Sequence, residues 1–221
     1  MPNDPKQLKA IARRISTRFR TPFHRHFAYW KVRMDPLYWG VGETLKSSRL
    51  PVLDVGCGSG LLCFYLLERG VKAPLHGMDF DAGKIDAAQQ AAAHPHDNAS
   101  AGTDPSPTFH LGDVRQPWPD VKGHVCLLDV LQYLPHGEQR HVLETAAAQV
   151  AGGGLLVVRS GIRENNWRYR FTLFIDRLMN RLRLMKSPPV FYPDKKDLEG
   201  ALVRVGLTLK SATPLHQGTP F

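Results

Sequence analysis

Short apolar runs alternate with helical stretches through the middle of the chain, which is the pattern of βαβ units. The apolar runs predict strands at residues 51–55, 73–78, 108–111, 124–128, 155–158 and 207–212. Helices are predicted between these strands at residues 60–69, 82–93, 138–150 and 194–205. We therefore expect an α/β fold with a mostly parallel sheet and helices on both of its faces.

Two basic segments flank this alternating region. Residues 1–33 hold nine Lys or Arg and one acidic residue, and residues 159–186 hold eight and two. Each segment also repeats apolar residues at helical spacing, and in the first the stripe is Leu8, Ile11, Ile15 and Phe19. We expect both stripes to pack on the body, with a lipid surface as the alternative. The predicted organisation is a basic amphipathic helical cap over residues 1–45 and a main domain over residues 46–221, with a basic helical insertion at about 162–190.

The uneven charge bears on the partners of the protein. The formal net charge is +9, and because the two basic segments exceed it, the rest of the chain is mildly acidic. Such a distribution favours an anionic partner, which is nucleic acid, an anionic membrane surface or an acidic protein. A solvated helix face that only aids solubility is the alternative.

The cysteine content and the hydropathy of the chain indicate in which cellular compartment it is expected. Three sparse cysteines without metal-type spacing predict free thiols in a reducing compartment, and no metal site is expected. The longest apolar run without charge, residues 61–67, is too short to cross a membrane. We expect a cytoplasmic protein, with peripheral membrane contact as an alternative.

A glycine-rich turn between a predicted strand and the next helix carries the clearest chemistry. The turn reads LDVGCGSG over residues 53–60, and its glycines let a ligand approach the backbone without meeting a Cβ. The G-x-G-x-G spacing differs from a dinucleotide fingerprint, and Asp54 would oppose a pyrophosphate. Asp79, at the end of the second strand, can accept the hydroxyls of a ribose, or it can cap the next helix. Together these features describe a ligand with a ribose, a cationic tail and no phosphate, which S-adenosylmethionine fits.

The sequence resembles the class I S-adenosylmethionine-dependent methyltransferases in a series of motifs that occur in the family's order. They are LDVGCGSG (53–60), HGMDFD (76–81), GDV (112–114), LDVLQYLP (128–135) and AGGG (151–154). The resemblance implies a Rossmann-like fold, whose last antiparallel strand is short or missing here, and S-adenosyl-L-methionine as the cofactor. The cofactor contacts that it implies are Asp54, Gly56, Cys57, Gly58, Gly60, Asp79, Phe80, Asp113, Val114 and Asp129. For Asp113, a place in a surface turn is the alternative.

Candidate acceptor residues lie at the ends of strands four and five and in the two basic segments, because ligands of open α/β sheets bind at the carboxyl ends of the strands. The candidate catalytic residues are His136, Asp129 and Tyr133. The candidate substrate-binding residues are Trp30, Arg33, Tyr38, Gln132, Arg159, Arg163 and Trp167. His136 is the expected titrating base, or else an exposed loop histidine, whereas Gln132 stands where many relatives have histidine. For Arg159, a surface charge at the strand end is the alternative to a hold on an acceptor carboxylate.

The segments FAYWKVRMDPLYWGV, LLDVLQYLP and NWRYRF are similar to a subgroup of small bacterial methyltransferases associated with aryl polyene and lipid-pigment gene clusters. This resemblance implies a small aromatic or polyketide acceptor, with an acidic acyl carrier protein as a candidate partner for the basic segments. One alternative is a nucleic-acid methyltransferase, which the lack of an N/D-P-P-Y/F tetrapeptide disfavours. Another is a non-catalytic membrane- or partner-binding protein on the same fold.

Overall fold

A five-stranded parallel sheet organises the part of the protein that the structure describes. The computed structural model describes residues 5–94, 106–161 and 191–213. The strands are β1 (Val52–Val55), β2 (Leu75–Asp79), β3 (Thr108–Leu111), β4 (His124–Leu128) and β5 (Leu156–Arg159). Their order is β3-β2-β1-β4-β5, with every pairing parallel. The predicted α/β, Rossmann-like fold is confirmed, and all four residues of the central strand β1 are buried.

Helices cover both faces of the sheet. They are α4 (Leu61–Glu68), α5 (Ala82–Ala93), α6 (His136–Gln149) and α7 (Lys195–Arg204). One apolar core contains the buried side chains of α4 and α5, and a second contains those of α6 and α7. Asp194 caps α7 as predicted, its side chain accepting from the Lys196 N–H at 2.8 Å.

The predicted strand at residues 207–212 is wrong, because the structure has no strand over these described residues. The chain instead turns back on the end of α7, where the Leu207 N–H donates to the Leu202 carbonyl at 3.1 Å. Leu209 is 59% exposed, so its apolar side chain has no buried face to pair with. The alternation of Leu207 and Leu209 with polar residues does not specify a strand when neither side chain can pack against an apolar core.

Three helices precede the sheet, namely α1 (Pro5–Thr17), α2 (Pro22–Met34) and α3 (Pro36–Leu45). The predicted apolar stripe of α1 packs on the body, with Ile11 and Ile15 fully buried. Thr21 and Asp35 cap α2 and α3, each followed by a proline whose fixed φ suits the first helical position. The predicted basic insertion at 162–190 lies outside the described residues. Of the described helices, none has the length and apolarity needed to span a bilayer.

Ion pairs fasten the end of α1 to helix α4 of the sheet layer. Arg14 Nε lies 2.5 Å and Arg18 Nη2 lies 2.9 Å from the carboxylate of Glu68 on α4. The Arg18 and Glu68 side chains are only 8% and 10% exposed, so this contact is shielded from solvent. Part of the basic charge of the first segment is therefore used inside the protein, not presented to a partner.

His124 has a structural place at the start of β4. Its Nδ1 accepts from the Leu155 N–H at 3.0 Å, and its Nε2 lies 2.5 Å from Ser48 Oγ. The accepting Nδ1 fixes the tautomer, so Nε2 carries the proton and donates to Ser48. Burial lowers the pKa of His124, which keeps the ring neutral in this position.

Candidate cofactor and acceptor site

The glycine turn after β1 forms an open bend at the carboxyl edge of the sheet. Gly56, Gly58 and Gly60 all have positive φ, at 78°, 56° and 78°. A Cβ at Gly56 or Gly60 would lie 2.4 Å from a neighbouring side chain, whereas a Cβ at Gly58 would lie no closer than 4.0 Å to a neighbour, the Cδ of Lys84. The outer glycines therefore permit close packing behind the bend, and Gly58 leaves a free backbone surface in front of it.

Asp79 is turned toward this bend. Its Oδ2 accepts from the Gly58 N–H at 2.8 Å, and its Oδ1 accepts from the Asp81 N–H at 2.9 Å. The helix-cap alternative is wrong, because Asp81 is the residue that caps α5 by accepting from the Gly83 N–H. An ionised carboxylate has about four acceptor positions, so Asp79 can accept further hydrogen bonds from a ribose. Its predicted contact with the ribose stays a prediction.

Asp54 is the buried carboxyl of the site. Its side chain belongs to β1, is 3% exposed, and lines the cavity in front of the glycine turn. Burial, and secondarily the negative charge of Asp79, raises the pKa of Asp54 to about 7. A ligand with a cationic group would offset this burial cost by pairing with the ionised form.

A cavity of about 400 Å³ lies between the glycine turn and the N-terminal helices. The sheet contributes Asp54, the turn, Leu128, Asp129 and Arg159, and α5 contributes Lys84. The opposite wall comes from α2 and α3 and consists of Phe23, His24, Phe27, Lys31, Leu37 and Tyr38. Phe23 and Phe27 are stacked, with ring planes 9° apart and centroids at 6.5 Å. One polar wall and one aromatic wall thus face each other across the cavity.

Arg159 connects the two walls. Its guanidinium donates to Asp129 through Nε at 2.9 Å and also through Nη2, and its Nη1 donates to Asp35 Oδ1 at 2.6 Å. Burial alone would raise the pKa of Asp35, but the hydrogen bond from Arg159 and the charge of Lys31 lower it overall. Burial opposes the charge of Arg159 too, yet its bonds to Asp129 and Asp35 raise its pKa, so the arginine stays cationic. It is ion-paired with two carboxylates and is not a bare surface charge.

Asp129 has an unusual backbone within the described residues. Its φ is 60°, the left-handed region that non-glycine residues seldom adopt. Its N–H donates to the Arg159 carbonyl at 2.9 Å, and its side chain pairs with the guanidinium of the same residue. These two contacts hold Asp129 at the cavity wall against the cost of the backbone conformation.

The predicted contacts for the adenosine end lie beside the cavity, not in its wall. Phe80 follows β2 and is 59% exposed, and Val114 packs partly against the second core. Asp113 Oδ1 accepts from the Arg115 N–H at 2.9 Å, which is the surface turn of the alternative interpretation. Its carboxylate is 40% exposed, so it can also bind a ligand.

The predicted acceptor residues divide between the cavity and its surroundings. Tyr38 lines the cavity, and burial raises the pKa of its phenol, which therefore stays protonated. Trp30 and Arg33 lie on α2 outside the cavity wall, with the Arg33 guanidinium 5.6 Å from the centre of the indole. Arg163 and Trp167 lie outside the described residues.

The remaining candidates sit at the β4 loop. Gln132 is buried, and its Oε1 lies 3.3 Å from Ser160 Oγ, so it ties this loop to the end of β5. His136 begins α6, is exposed, and packs edge-on to Phe191 with centroids 6.1 Å apart. Tyr133 is half-buried in the short 3-10 turn Leu131–Tyr133. Neither His136 nor Tyr133 is among the residues that line the cavity.

Sequence reasoning missed three polar residues of the cavity wall, His24, Lys31 and Lys84. His24 lies three residues before Phe27 on α2 and Lys31 lies four residues after it, so helical spacing was a usable signal once the helix bounds were known. Lys84 lies in the first turn of α5, two residues after the helix begins and next to the glycine turn. The sequence feature that could have identified it is the helix cap at Asp81, which places the first turn of α5 at the edge of the sheet.

The sequence around this site was compared with models of known protein families. Residues 52–154, which contain β1 to β4, α6 and the glycine turn, match the family model described as a methyltransferase domain. This region of the chain is therefore similar to methyltransferase domains. No curated protein matches the sequence of the chain.

Solved structures share the fold of the chain at low sequence identity. An O-methyltransferase of neocarzinostatin biosynthesis (NcsB1), crystallised with S-adenosyl-L-homocysteine and 1,4-dihydroxy-2-naphthoic acid, superposes with a TM-score of 0.60 at 20% identity. The match covers 86% of this chain and 52% of that one, so the chain spans about half the length of that enzyme.

Two further structures extend the comparison. Magnesium protoporphyrin IX methyltransferase (ChlM) from Synechocystis PCC 6803, with bound S-adenosylmethionine, has a TM-score of 0.55 at 19% identity and covers 94% of this chain and 86% of its own. The mycolic acid cyclopropane synthase CmaA1, complexed with S-adenosyl-L-homocysteine, has a TM-score of 0.62 at 13% identity and covers 96% and 77%.

The residues at the glycine turn fit S-adenosylmethionine. The backbone at Gly58 is open to a ligand, and a Cβ there would occupy that space. Asp54 is a buried carboxyl that a cationic ligand would stabilise, and Asp79 points into the bend. Three independent features of one site thus suit a cationic adenosyl ligand.

Proposed function

We propose that the protein transfers a methyl group from S-adenosylmethionine to a small aromatic or polyketide-type acceptor. One observation carries the proposal: a single cavity joins the glycine turn and Asp54 to an aromatic wall built by α2 and α3. The first wall suits the donor, and the second suits a flat apolar acceptor. NcsB1, which has the same fold, was crystallised with a naphthoic acid, and this supports an aromatic acceptor here.

The donor would be held by the turn and the strand ends. The backbone at Gly56, Cys57, Gly58 and Gly60 would face it, with Asp54 near its cationic end and Asp79 at its ribose. Phe80, Asp113, Val114 and Asp129 complete the contacts that the family resemblance implies. When bound, S-adenosylmethionine supplies an electrophilic methyl group, and the protein's main tasks are alignment and exclusion of water.

The acceptor would lie between Phe23, Phe27 and Tyr38. The protonated Tyr38 phenol can donate a hydrogen bond to an acceptor oxygen. Arg159 is held by Asp35 and Asp129, so its role is to keep the aromatic wall at a fixed distance from the sheet. A misplacement of about 1 Å in such a site can lower the rate about a hundredfold.

A phenolic acceptor must lose a proton, and His24 is placed to take it. His24 lines the cavity, and its Nδ1 lies 2.9 Å from Thr21 Oγ1, which leaves Nε2 for the acceptor. His136, the base expected from sequence, is exposed and packs against Phe191. We therefore assign the proton-accepting role to His24, with His136 as the competing candidate.

Cofactor binding is tested by isothermal titration with S-adenosylmethionine. Asp79→Ala should weaken binding at least tenfold, and Asp86→Ala, an exposed aspartate on α5, should bind as the wild type does. Binding that is absent from the wild type, or equal in the two variants, would overturn the proposal.

Methyl transfer is tested with labelled S-adenosylmethionine and a panel of hydroxylated aromatic acids. His24→Gln should lower kcat about a hundredfold or more if it removes a general base, whereas His141→Gln on the exposed face of α6 should not. A large loss in His136→Gln with none in His24→Gln would move the role to His136.

The acceptor is presented either free or on an acidic acyl carrier protein, and we propose the carrier-bound form on the basis of the aryl polyene resemblance. A mass increase of one methyl group on a carrier-loaded aryl acceptor, larger than on the free acid, would support it. Methylation of RNA or DNA, with binding that weakens steeply in salt, would instead favour the nucleic-acid alternative. Cofactor binding without turnover on any acceptor would favour a non-catalytic protein.

A further inference from the structure

Helix α2 exposes four large apolar side chains along one line. They recur at helical spacing, and we call them the α2 stripe: Phe23, Phe27, Trp30 and Met34, which are 75%, 47%, 45% and 46% exposed. The opposite side of α2 is buried through Ala28 and Val32. The helix is therefore anchored by one face and presents a second apolar face outward, which is unusual for a soluble surface.

The segment that contains the α2 stripe is rich in positive charge. Residues 5–34 contain nine Lys or Arg and no acidic residue. The Arg33 guanidinium lies over the Trp30 ring at 5.6 Å and over the Tyr29 ring at 5.8 Å. In the described parts of the chain, no ion pair involves Lys9, Arg13 or Arg33. These cations are available to an anionic partner, unlike Arg14 and Arg18.

We propose that the α2 stripe docks on an anionic lipid surface. Apolar and aromatic side chains bordered by cationic ones suit the boundary between lipid headgroups and acyl chains, where an indole can bury its ring and keep its N–H hydrogen-bonded. Trp30 meets this requirement, since its Nε1 donates to His26 Nε2 at 3.1 Å while the ring is exposed. An acidic protein would match the charge but would not need four outward apolar side chains.

The α2 stripe also reaches the cavity. Phe23 and Phe27 belong to both the stripe and the aromatic wall. Docking through the stripe would therefore bring the lipid surface next to the proposed acceptor site. This second part rests on the proposed methyl transfer, whereas the docking itself does not.

Vesicle sedimentation of the full chain tests the docking. The probes are vesicles of phosphatidylcholine alone and of phosphatidylcholine with phosphatidylglycerol. We expect binding to the anionic vesicles, at least tenfold weaker binding to the neutral ones, and release by high salt. The variant Trp30→Ser/Met34→Ser changes stripe residues outside the cavity wall and should lower binding at least tenfold, whereas Val203→Ser, at an apolar position on α7 that is 65% exposed, should not. Circular dichroism and thermal unfolding establish that both variants are folded.

Each outcome decides the proposal. Stripe-dependent binding to anionic vesicles supports it. Binding that the double variant retains would assign the contact to another basic part of the chain and overturn it. Absence of vesicle binding, with or without capture of an acidic carrier protein, would also overturn it. None of these readouts depends on methyl transfer, so the docking can fail while the proposed activity stands.

Discussion

Replacing Asp54 with asparagine should make the ligand-free protein more stable at alkaline pH while weakening cofactor binding. The pKa of Asp54 is raised from 3.8 to about 7, first by burial and then by the charge of Asp79. One pKa unit corresponds to about 1.4 kcal/mol, so full ionisation of Asp54 costs the folded state roughly 4 kcal/mol. Asparagine has the shape of the neutral carboxylic acid and avoids this cost.

The direction of the pH effect follows from the folded-state pKa of Asp54, which lies above its unfolded value. The stabilising contribution of this carboxyl is fully present below the unfolded pKa of 3.8 and is lost as the pH rises through about 7. Between pH 5 and pH 8, the free energy of unfolding of the wild type should therefore fall by roughly 2 to 3 kcal/mol relative to that of Asp54→Asn.

Urea unfolding of the ligand-free protein at several pH values measures this difference, with Asp86→Asn as the control for an exposed carboxylate. Isothermal titration should show that the affinity for S-adenosylmethionine rises with pH in the wild type and is flat in Asp54→Asn. A difference in unfolding free energy between wild type and Asp54→Asn that stays constant from pH 5 to pH 8 would refute the reasoning.

Three further predictions concern the bend, the link between the walls and the start of β4. Gly58→Ala should lower the free energy of unfolding by about 1 to 2 kcal/mol because of the positive φ at this position, and it should weaken cofactor binding. Gly60→Ala should lower the free energy of unfolding further, because its Cβ would lie 2.4 Å from an aromatic ring. Urea unfolding measures the stability of both variants, and isothermal titration measures their cofactor binding. Arg159→Met should lower the unfolding free energy by about 2 to 3 kcal/mol, and in a double-mutant cycle Asp35→Asn should recover part of that loss. The pKa of His124 is lowered by burial, so its contribution to stability should be lost as the pH falls below 6.5, and His124→Gln should remove that acid sensitivity in thermal unfolding.

The sheet and its turn could be predicted because their signals are local. The strands β1 to β5 are short apolar runs, and their buried parallel arrangement needs no long-range information beyond the alternation with helices. The turn in the LDVGCGSG segment (53–60) could likewise be predicted locally, because its glycines allow the positive φ angles that the turn requires. The strand predicted at 207–212 was wrong for the opposite reason. Whether its apolar residues have a core to pack against depends on the tertiary structure, and the local pattern does not contain that information.

The acceptor half of the site could not be read in the same way. The contact between Asp35 and Arg159 joins residues 124 positions apart, and no local pattern announces it. Thr21 and Asp35, each before a proline, did mark the starts of α2 and α3. These capping residues do not predict which face of α2 packs on the protein body, because that face depends on the packing of Ala28 and Val32.

The way the first three helices are attached bears on how this protein can be trimmed or recombined. Removing residues 5–45 would strip Glu68 of two arginines and Arg159 of Asp35, and it would bare the apolar side of α4, including Phe64 and Tyr65, which are now fully covered. The N-terminal segment is accordingly an integral wall of the cavity. Exchanging it for a relative's segment to alter the proposed acceptor choice therefore requires its charged counterparts on the sheet layer to be exchanged with it.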